Sequence, residues 1–419
     1  CDQDFRCRGR HAESRRRRSD NVRGIGRKKH QHPGDFHVGD QGECSDFPGL
    51  YRIGIAHIAQ RLRTRRNLAR QGDGMEREDA EARLDTLWRR GREFLGTRYA
   101  IMCGAMTWLS ERNLVSALSN GGGFGVIACG AMTPDLLAEE IIATAALTKE
   151  PFGVNLITMH PDLEALIDVC AQNNVSHVIL AGGLPKATSI ARAKDSCAKV
   201  MCFAPTLGVA RRLIRLGADA LMVEGAEAGG HIGPVSTNVL AQEILPHIHE
   251  VPVFIAGGIG RGDAIVAFLE MGASGCQLGT RFVCANESTA HADFKKAFQR
   301  ASARDAVPSV QFDPDFPVIP VRAIQNKATQ EFQKIQREVI QKFRAGEMEQ
   351  GEAQLAIEHF WAGALRRAAV DGDVDGGSLM AGQSVGMVTS EQPVTEILNE
   401  LVDQAISALA TRGAEKALA

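Results

Sequence analysis

The sequence predicts an α/β protein, a (β/α)8 TIM barrel with a C-terminal helical lid. Three observations predict it. Eight short apolar runs lie between residues 99 and 280, amphipathic segments separate them, and nearly every run ends in small or polar residues. Short apolar strands separated by helices imply a parallel sheet covered on both faces, and eight repeats suggest closure. The alternative, an open doubly wound sheet, would normally show a GxGxxG turn after its first strand, and none stands there.

The composition agrees. The chain has 419 residues, is 44% hydrophobic and only 5% aromatic, and holds 43 glycines, which suits an enzyme of tight loops. No apolar run is long enough to span a bilayer, and no signal pattern opens the chain. The ten cysteines are scattered without a CxxC pair, as expected of reduced thiols in a cytoplasmic protein.

Residues 1–74 precede the pattern. They carry 17 Lys and Arg against 9 Asp and Glu, whereas the rest of the chain has a net charge of −10. RRRR at 15–18 and RLRTRR at 61–66 could form a basic arm for nucleic acid or an Arg-rich targeting segment, although the acidic residues oppose the latter. The first methionine is Met75, directly before the helical stretch MEREDAEARLDTLWRRGREFL. The expectation is therefore a basic, disordered extension upstream of a misplaced start, with no nucleic-acid partner and no membrane partner.

The strand candidates follow in order: YAIMCGAM (99–106), GFGVIA (123–128), FGVNLI (152–157), HVILAG (177–182), KVMCFA (199–204), ALMVEG (220–225), VPVFIAGG (251–258) and GCQLGT (275–280). Segments such as PDLLAEEIIATAAL and GDAIVAFLEMG have the helical period. The barrel is assigned to 75–290. Residues 291–419 read as two long charged helices, a glycine-punctuated loop and a final amphipathic helix, taken together as a cap on the barrel mouth.

Barrel enzymes place their chemistry at the C-terminal strand ends. Gly257 and Gly258 follow the seventh strand, with a helix starting near Gly262, and Gly279 and Thr280 follow the eighth. Bare N–H groups there suit a phosphate dianion. The loop EGAEAGGHIG (224–233) follows the sixth strand and sets His231 over the mouth, with an imidazole suited to acid–base work. HIHE (247–250) precedes the seventh strand, at the barrel bottom, and lacks a third histidine at ligand spacing, so no metal is expected. Cys103 has no evident base beside it and reads as a buried thiol.

Together these stretches resemble the FMN-dependent nitronate monooxygenases, once called 2-nitropropane dioxygenases, and the related enoyl-acyl-carrier-protein reductase II. The resemblance covers about residues 95–390. It rests on Gly104-Ala105-Met106 with SNGGGFGVIA, on PFGVN, EGAEAGGHIG, IAGGIGRG, GCQLGTRF, PVRAIQNK and GSLMAGQSVGMV. It implies FMN over the barrel mouth. Gly104, Ala105 and Met106 would lie against the flavin ring. Asn155 and Glu224 would bond the ring edge or ribityl chain, and Gly229 and Gly230 would line the cofactor. Gly257, Gly258, Gln277, Leu278, Gly279 and Thr280 would hold the phosphate. His231 matches the catalytic histidine, and the glycines around it would let the loop lie close to the flavin.

The implied reaction is oxidation of an alkyl nitronate with O2 to a carbonyl compound and nitrite. The alternative is NAD(P)H-dependent reduction of an enoyl thioester. Glu224, GTRFVCANES and AGALRRAAVDGDVDGGSLMAGQ lean toward the reductase, while Cys103-Gly104-Ala105 and AGGLPKA depart from it. The monooxygenase is taken as the broader description, and a homodimer is the candidate assembly.

Overall fold

The computed structural model describes residues 76–417, except 197, 314, 315, 317 and 318. The basic stretch 1–74 lies outside the described residues. The eight expected strands are β1 (Ile101–Cys103), β2 (Gly125–Ala128), β3 (Phe152–Ile157), β4 (His177–Ala181), β5 (Lys199–Phe203), β6 (Ala220–Glu224), β8 (Val253–Ala256) and β9 (Gly275–Leu278). They form one parallel sheet in the order β1-β9-β8-β6-β5-β4-β3-β2. The Met102–Phe124 bridge joins its two edges, with Cys103 N–H donating to the Phe124 carbonyl at 2.9 Å. The sheet is a closed barrel.

Strand alternation builds two cores from one set of strands. Met102, Val126, Ile179, Met201, Met222 and Phe254 fill the barrel interior. Their neighbours Ile101, Cys103, Ile127, Val178, Val200, Leu221, Val223 and Ile255 face the helices. Helix α1 (Arg77–Leu95) delivers Phe94 and Leu95 to the bottom of the interior. There the Phe94 ring meets Phe254 at 6.0 Å and His177 at 5.1 Å between centroids. Burial beside this plug pushes the His177 imidazole down to about 4, so it is neutral near pH 7.

The outer helices are α2 (Arg112–Asn120), α3 (Pro134–Leu147), α4 (Leu163–Gln172), α5 (Ala187–Asp195), α6 (Leu207–Arg215), α7 (Thr237–Ile244) and α8 (Gly262–Glu270). Beyond them come α9 (Ala292–Arg300), the long pair α10 (Lys327–Arg344) and α11 (Gln350–Ala369), and α12 (Val394–Ala417). No helix among the described residues is long and apolar enough to cross a membrane.

Two features differ from the expectation for 291–419. The lid contains a second, antiparallel sheet of β10 (Ala306–Pro308), β11 (Val321–Ile324), β12 (Leu379–Met380) and β7 (Gly230–His231). These strands are two to four residues long, too short to show a period in sequence. The final helix also leaves the lid. α12 packs on the outside of the barrel, where Val394, Ile397, Leu398, Leu401 and Ala405 join the same core as Ala80, Leu84 and Trp88 of α1. Its apolar stripe needed an apolar partner, and α1 and α8 provide one.

Gly262 permits that docking. A Cβ there would lie 1.9 Å from the Leu401 carbonyl oxygen, a backbone atom that cannot turn aside. Gly262→Ala is expected to cost about 3 kcal/mol in denaturant unfolding by overpacking. Gly208→Ala, in α6, meets nothing nearer than 3.9 Å and should instead gain about 0.5 kcal/mol.

Candidate functional site

The barrel mouth is built from loops that touch one another. After β1, the Gly104 N–H donates to the Leu278 carbonyl at 2.9 Å. Ser110 closes this loop: its hydroxyl donates to the Gly104 carbonyl at 2.9 Å and accepts from the Met106 N–H at 3.0 Å. A Cβ on Gly104 would stand 3.3 Å from the Gly279 Cα and 3.7 Å from Gln277 Nε2. Gly104, Ala105 and Met106 thus sit beside Gln277 and Gly279. Asn155, buried on β3, belongs to the same strand-end layer; its carbonyl accepts from the Cys129 N–H. Leu278 contributes backbone only, since its side chain lies in the strand–helix layer. Burial pushes the Cys103 thiol up to about 12, so it stays protonated and is no nucleophile.

Glu227 organises the loop after β6. Its Oε2 accepts from the Thr237 N–H at 2.8 Å and from the Thr237 hydroxyl at 2.9 Å, at the N-terminus of α7. A carboxylate there satisfies a free helix donor and meets the positive end of the helix dipole. The Glu227 carbonyl accepts from the Gln383 N–H at 2.9 Å, which ties the loop to the 381–383 strap. A Cβ on Gly258 would lie 2.9 Å from the Glu227 Cβ, so the loop after β8 packs on the same residue.

The glycines of EGAEAGGHIG now have separate reasons, partly different from the expected one. At Gly225 a Cβ would strike Thr237 Oγ1 at 2.0 Å, and at Gly229 it would strike Gly382 N at 2.5 Å. Both admit the protein's own backbone. Gly230 has φ +76°, a left-handed conformation that costs a side chain energy. It leads into the short strand β7, where His231 stands opposite Val321 and Gly230 opposite Arg322. His231 is exposed at the mouth. Arg322, buried on β11, donates from Nε to the Ala226 carbonyl at 2.9 Å and from Nη1 to the Ala306 carbonyl at 2.6 Å. It pins the β6–β7 loop to the lid sheet. Burial holds its guanidinium below the usual arginine range, with Glu227 opposing that effect.

Glu224 ends β6. Burial is the main reason its carboxyl rises to about 7, against a smaller opposing pull from His231. The two therefore sense each other's charge at the mouth, a neutral-to-anionic carboxyl beside an imidazole.

The loops after β8 and β9 make a concave row of donors. Gly257 and Gly258 have φ +98° and +73°. Among the described residues, none accepts a hydrogen bond from the N–H of Gly258, Gly279 or Thr280. The Thr280 hydroxyl accepts from the Gly382 N–H at 2.9 Å, joining this row to the strap. The helix start at Gly262, expected to help hold an anion, instead donates its N–H to Gln404 Oε1 of α12 at 2.8 Å. The anion-accepting groups are those of the glycine turns.

A family model described as nitronate monooxygenase matches residues 90–166 and 162–404. The chain belongs to the nitronate monooxygenase family. It is an oxidoreductase of that family. It is 28% identical over 354 residues to a (3aS,4S,5R,7aS)-5-hydroxy-7a-methyl-1-oxo-octahydro-1H-indene-4-carboxyl-CoA dehydrogenase of Mycobacterium tuberculosis, over 77% of this chain and 97% of that one. Among solved structures, FabK from Thermotoga maritima shares 33% identity with a TM-score of 0.69, over 77% of this chain and 97% of its own. A nitroalkane oxidase from Streptomyces ansochromogenes shares 25% identity with a TM-score of 0.62, over 75% and 98%. The family members share the TIM barrel.

Sequence reasoning missed Glu227, Thr237, Arg322 and Ser110. Glu227 and Arg322 lie inside the quoted stretches EGAEAGGHIG and PVRAIQNK, but no spacing rule joins residues 95 positions apart.

Two outcomes are expected. Glu224 has a folded-state pKa above its unfolded value near 4.5, so its contribution to stability is fully present below that value and is lost as pH rises through about 7. Glu224→Gln should flatten the fall in unfolding free energy between pH 5 and pH 8, a difference of about 3 kcal/mol. Arg322→Leu leaves the Ala226 and Ala306 carbonyls without their donor and should cost about 3 kcal/mol in urea unfolding. It should also raise protease cutting within 225–233.

Proposed function

We propose that this oxidoreductase uses FMN and NAD(P)H and acts on an acyl thioester with an apolar acyl group. One observation carries the substrate class. The mouth is rimmed by exposed apolar side chains: Trp108 after β1, Met159 after β3, Leu184 after β4 and Ile319 before β11. Apolar surface gathered at one barrel end marks a site for an apolar body. A small nitronate would not need it. The relative at 28% identity points the same way by the carboxyl-CoA in its name.

The residues fit the cofactor. The unpaired N–H groups of Gly258, Gly279 and Thr280 would receive the phosphate, and the Gly104–Met106 backbone would face the ring. When bound, FMN supplies hydride chemistry at its ring. His231 would then hold or move the proton that balances the hydride, with Glu224 setting the charge beside it. In the reducing direction a hydride adds to the enoyl β-carbon and a proton to the α-carbon. Trp108 would keep the lid in register. Its backbone is strained at φ +71°, its Nε1 donates to the Ala362 carbonyl at 3.3 Å, and Arg366 lies 5.9 Å over its ring.

The second reading is nitronate oxidation with O2, favoured by the likeness to nitroalkane oxidase. His231 would there accept or position the nitronate's proton.

Anaerobic mixing of FMN-loaded protein with NADH, NADPH and propyl-2-nitronate separates the two. The expected result is rapid flavin bleaching by one nicotinamide and return of colour with trans-2-octenoyl-CoA. Bleaching by the nitronate alone, with indifference to both nicotinamides, would replace this proposal with the second reading. His231→Ala should keep FMN and slow turnover about 100-fold or more.

A further inference from the structure

Helix α3 (Pro134–Leu147) reads PDLLAEEIIATAAL and is apolar on both sides. Leu137, Glu140, Ile141 and Thr144 are its buried side, where Glu140 forms an ion pair with Arg112. A helix on the outside of a barrel needs only one apolar stripe, and its other side is ordinarily polar. That holds for α5 and α6, which present Arg192, Lys194, Arg211, Arg212 and Arg215 to solvent. On α3 the outward positions are instead Ala138, Ile142, Ala145 and Ala146, and Ile142 is 61% exposed. Leu136 and Leu147 flank them at 52% and 49%. Apolar side chains gathered on one exposed face mark a surface that another body covers.

The charges at the two ends of this face say which body. Asp135 precedes Ile142 by seven positions and Lys149 follows it by seven, so the three fall on one line at two-turn intervals. Lys149 lies just past the last turn, and its ammonium rests on the Ala145 carbonyl at 3.4 Å, on the same face. Both charged side chains are exposed, and neither has an ion-pair partner among the described residues. The other exposed carboxylate of the helix, Glu139, lies off this line and interacts with the Arg112 charge. A second α3 laid antiparallel on the first, about a twofold axis through Ile142, sets Asp135 of each copy opposite Lys149 of the other. Ile142 then meets its own copy on the axis, and the alanines beside it let the two backbones approach. Such a pattern is self-complementary, as an isologous interface requires, and antiparallel helix dipoles favour it.

We infer that the outer face of α3 is a dimer interface, and that its occupant is the same helix of a second copy of this chain, packed antiparallel. The inference goes beyond the reaction proposed above and does not depend on it.

The test is sedimentation equilibrium of the full chain at moderate salt. The expected mass is twice the 45.2 kDa of one chain. Ile142→Glu sets two carboxylates together on the axis and should weaken the dimer about 100-fold or more, with the far-UV spectrum unchanged because the side chain faces solvent in the single chain. Asp135→Lys and Lys149→Glu should each weaken it about 10-fold, since each sets like charges opposite one another. The double variant should recover to within about three-fold of the wild type, because both pairs re-form with their signs exchanged. Pairing of this helix with its own copy in this register gives that recovery, and a different partner does not. A monomeric wild type would overturn the inference and leave the face to another occupant. A dimer that Ile142→Glu leaves intact would also overturn it and put the interface on another surface. Losses that add in the double variant would overturn the antiparallel arrangement.

Discussion

The Glu227 carboxylate holds the functional end of the molecule together. One oxygen takes both donors of Thr237 at the start of α7, its backbone carbonyl takes the Gln383 N–H, and its side chain lies against Gly258. Four segments meet there: the loop after β6, the start of α7, the loop after β8 and the strap 381–383. Each can approach only because the facing residue has no Cβ, as at Gly225, Gly229, Gly257 and Gly258. The glycine content of this region is thus a packing requirement of the protein first. What is left over after those contacts, the bare N–H groups of Gly258, Gly279 and Thr280, is what an anion can use.

The lid is tied to this hub through a second interaction. Arg322 links the β6 loop to β10 and β11, and the pairing of β7 with β11 makes the His231 strand part of the lid sheet. His231 consequently belongs to two structures at once. Its loop is fixed by the barrel, and its strand register is fixed by the lid. Movement of α10 and α11 would be felt at the imidazole through one strand pair. Trp108 forms the opposite tie, from the loop after β1 to α11. Trp108 and His231 are in this way both tied to the lid.

Electrostatics at the mouth are arranged in the same spirit. Covering the end of β6 raises Glu224 to about 7, against a smaller opposing effect of His231. At the opposite end of the barrel, His177 is driven the other way by burial and is held by the Phe94 carbonyl and the Ser176 hydroxyl. The same physical cause, loss of water, yields a titrating group at the mouth and a silent one at the bottom.

The barrel was legible in the sequence because its strands are buried on both faces and its helices on one, and those patterns are local. Each of the eight apolar runs contains one barrel strand, and the glycine turns at 257–258 and 279–280 stand at their C-terminal ends. His231 could be placed over the mouth from strand order alone. Other features depended on distance in space. The pairing of Gly230 and His231 with Val321 and Arg322 joins residues about 90 positions apart through strands too short to carry a period. The docking of α12 on α1 and α8 rather than in the lid turned on a glycine, Gly262, whose need is visible only against the Leu401 carbonyl. Gln336 and Trp361 are polar positions on apolar helix faces, and only packing showed that no partner among the described residues answers Gln336 Nε2 or Trp361 Nε1. Sequence fixes patterns that repeat along the chain. Which glycine meets which backbone, and which donor is left unpaired, is settled when the chain closes on itself, because those are relations between surfaces and not between neighbours.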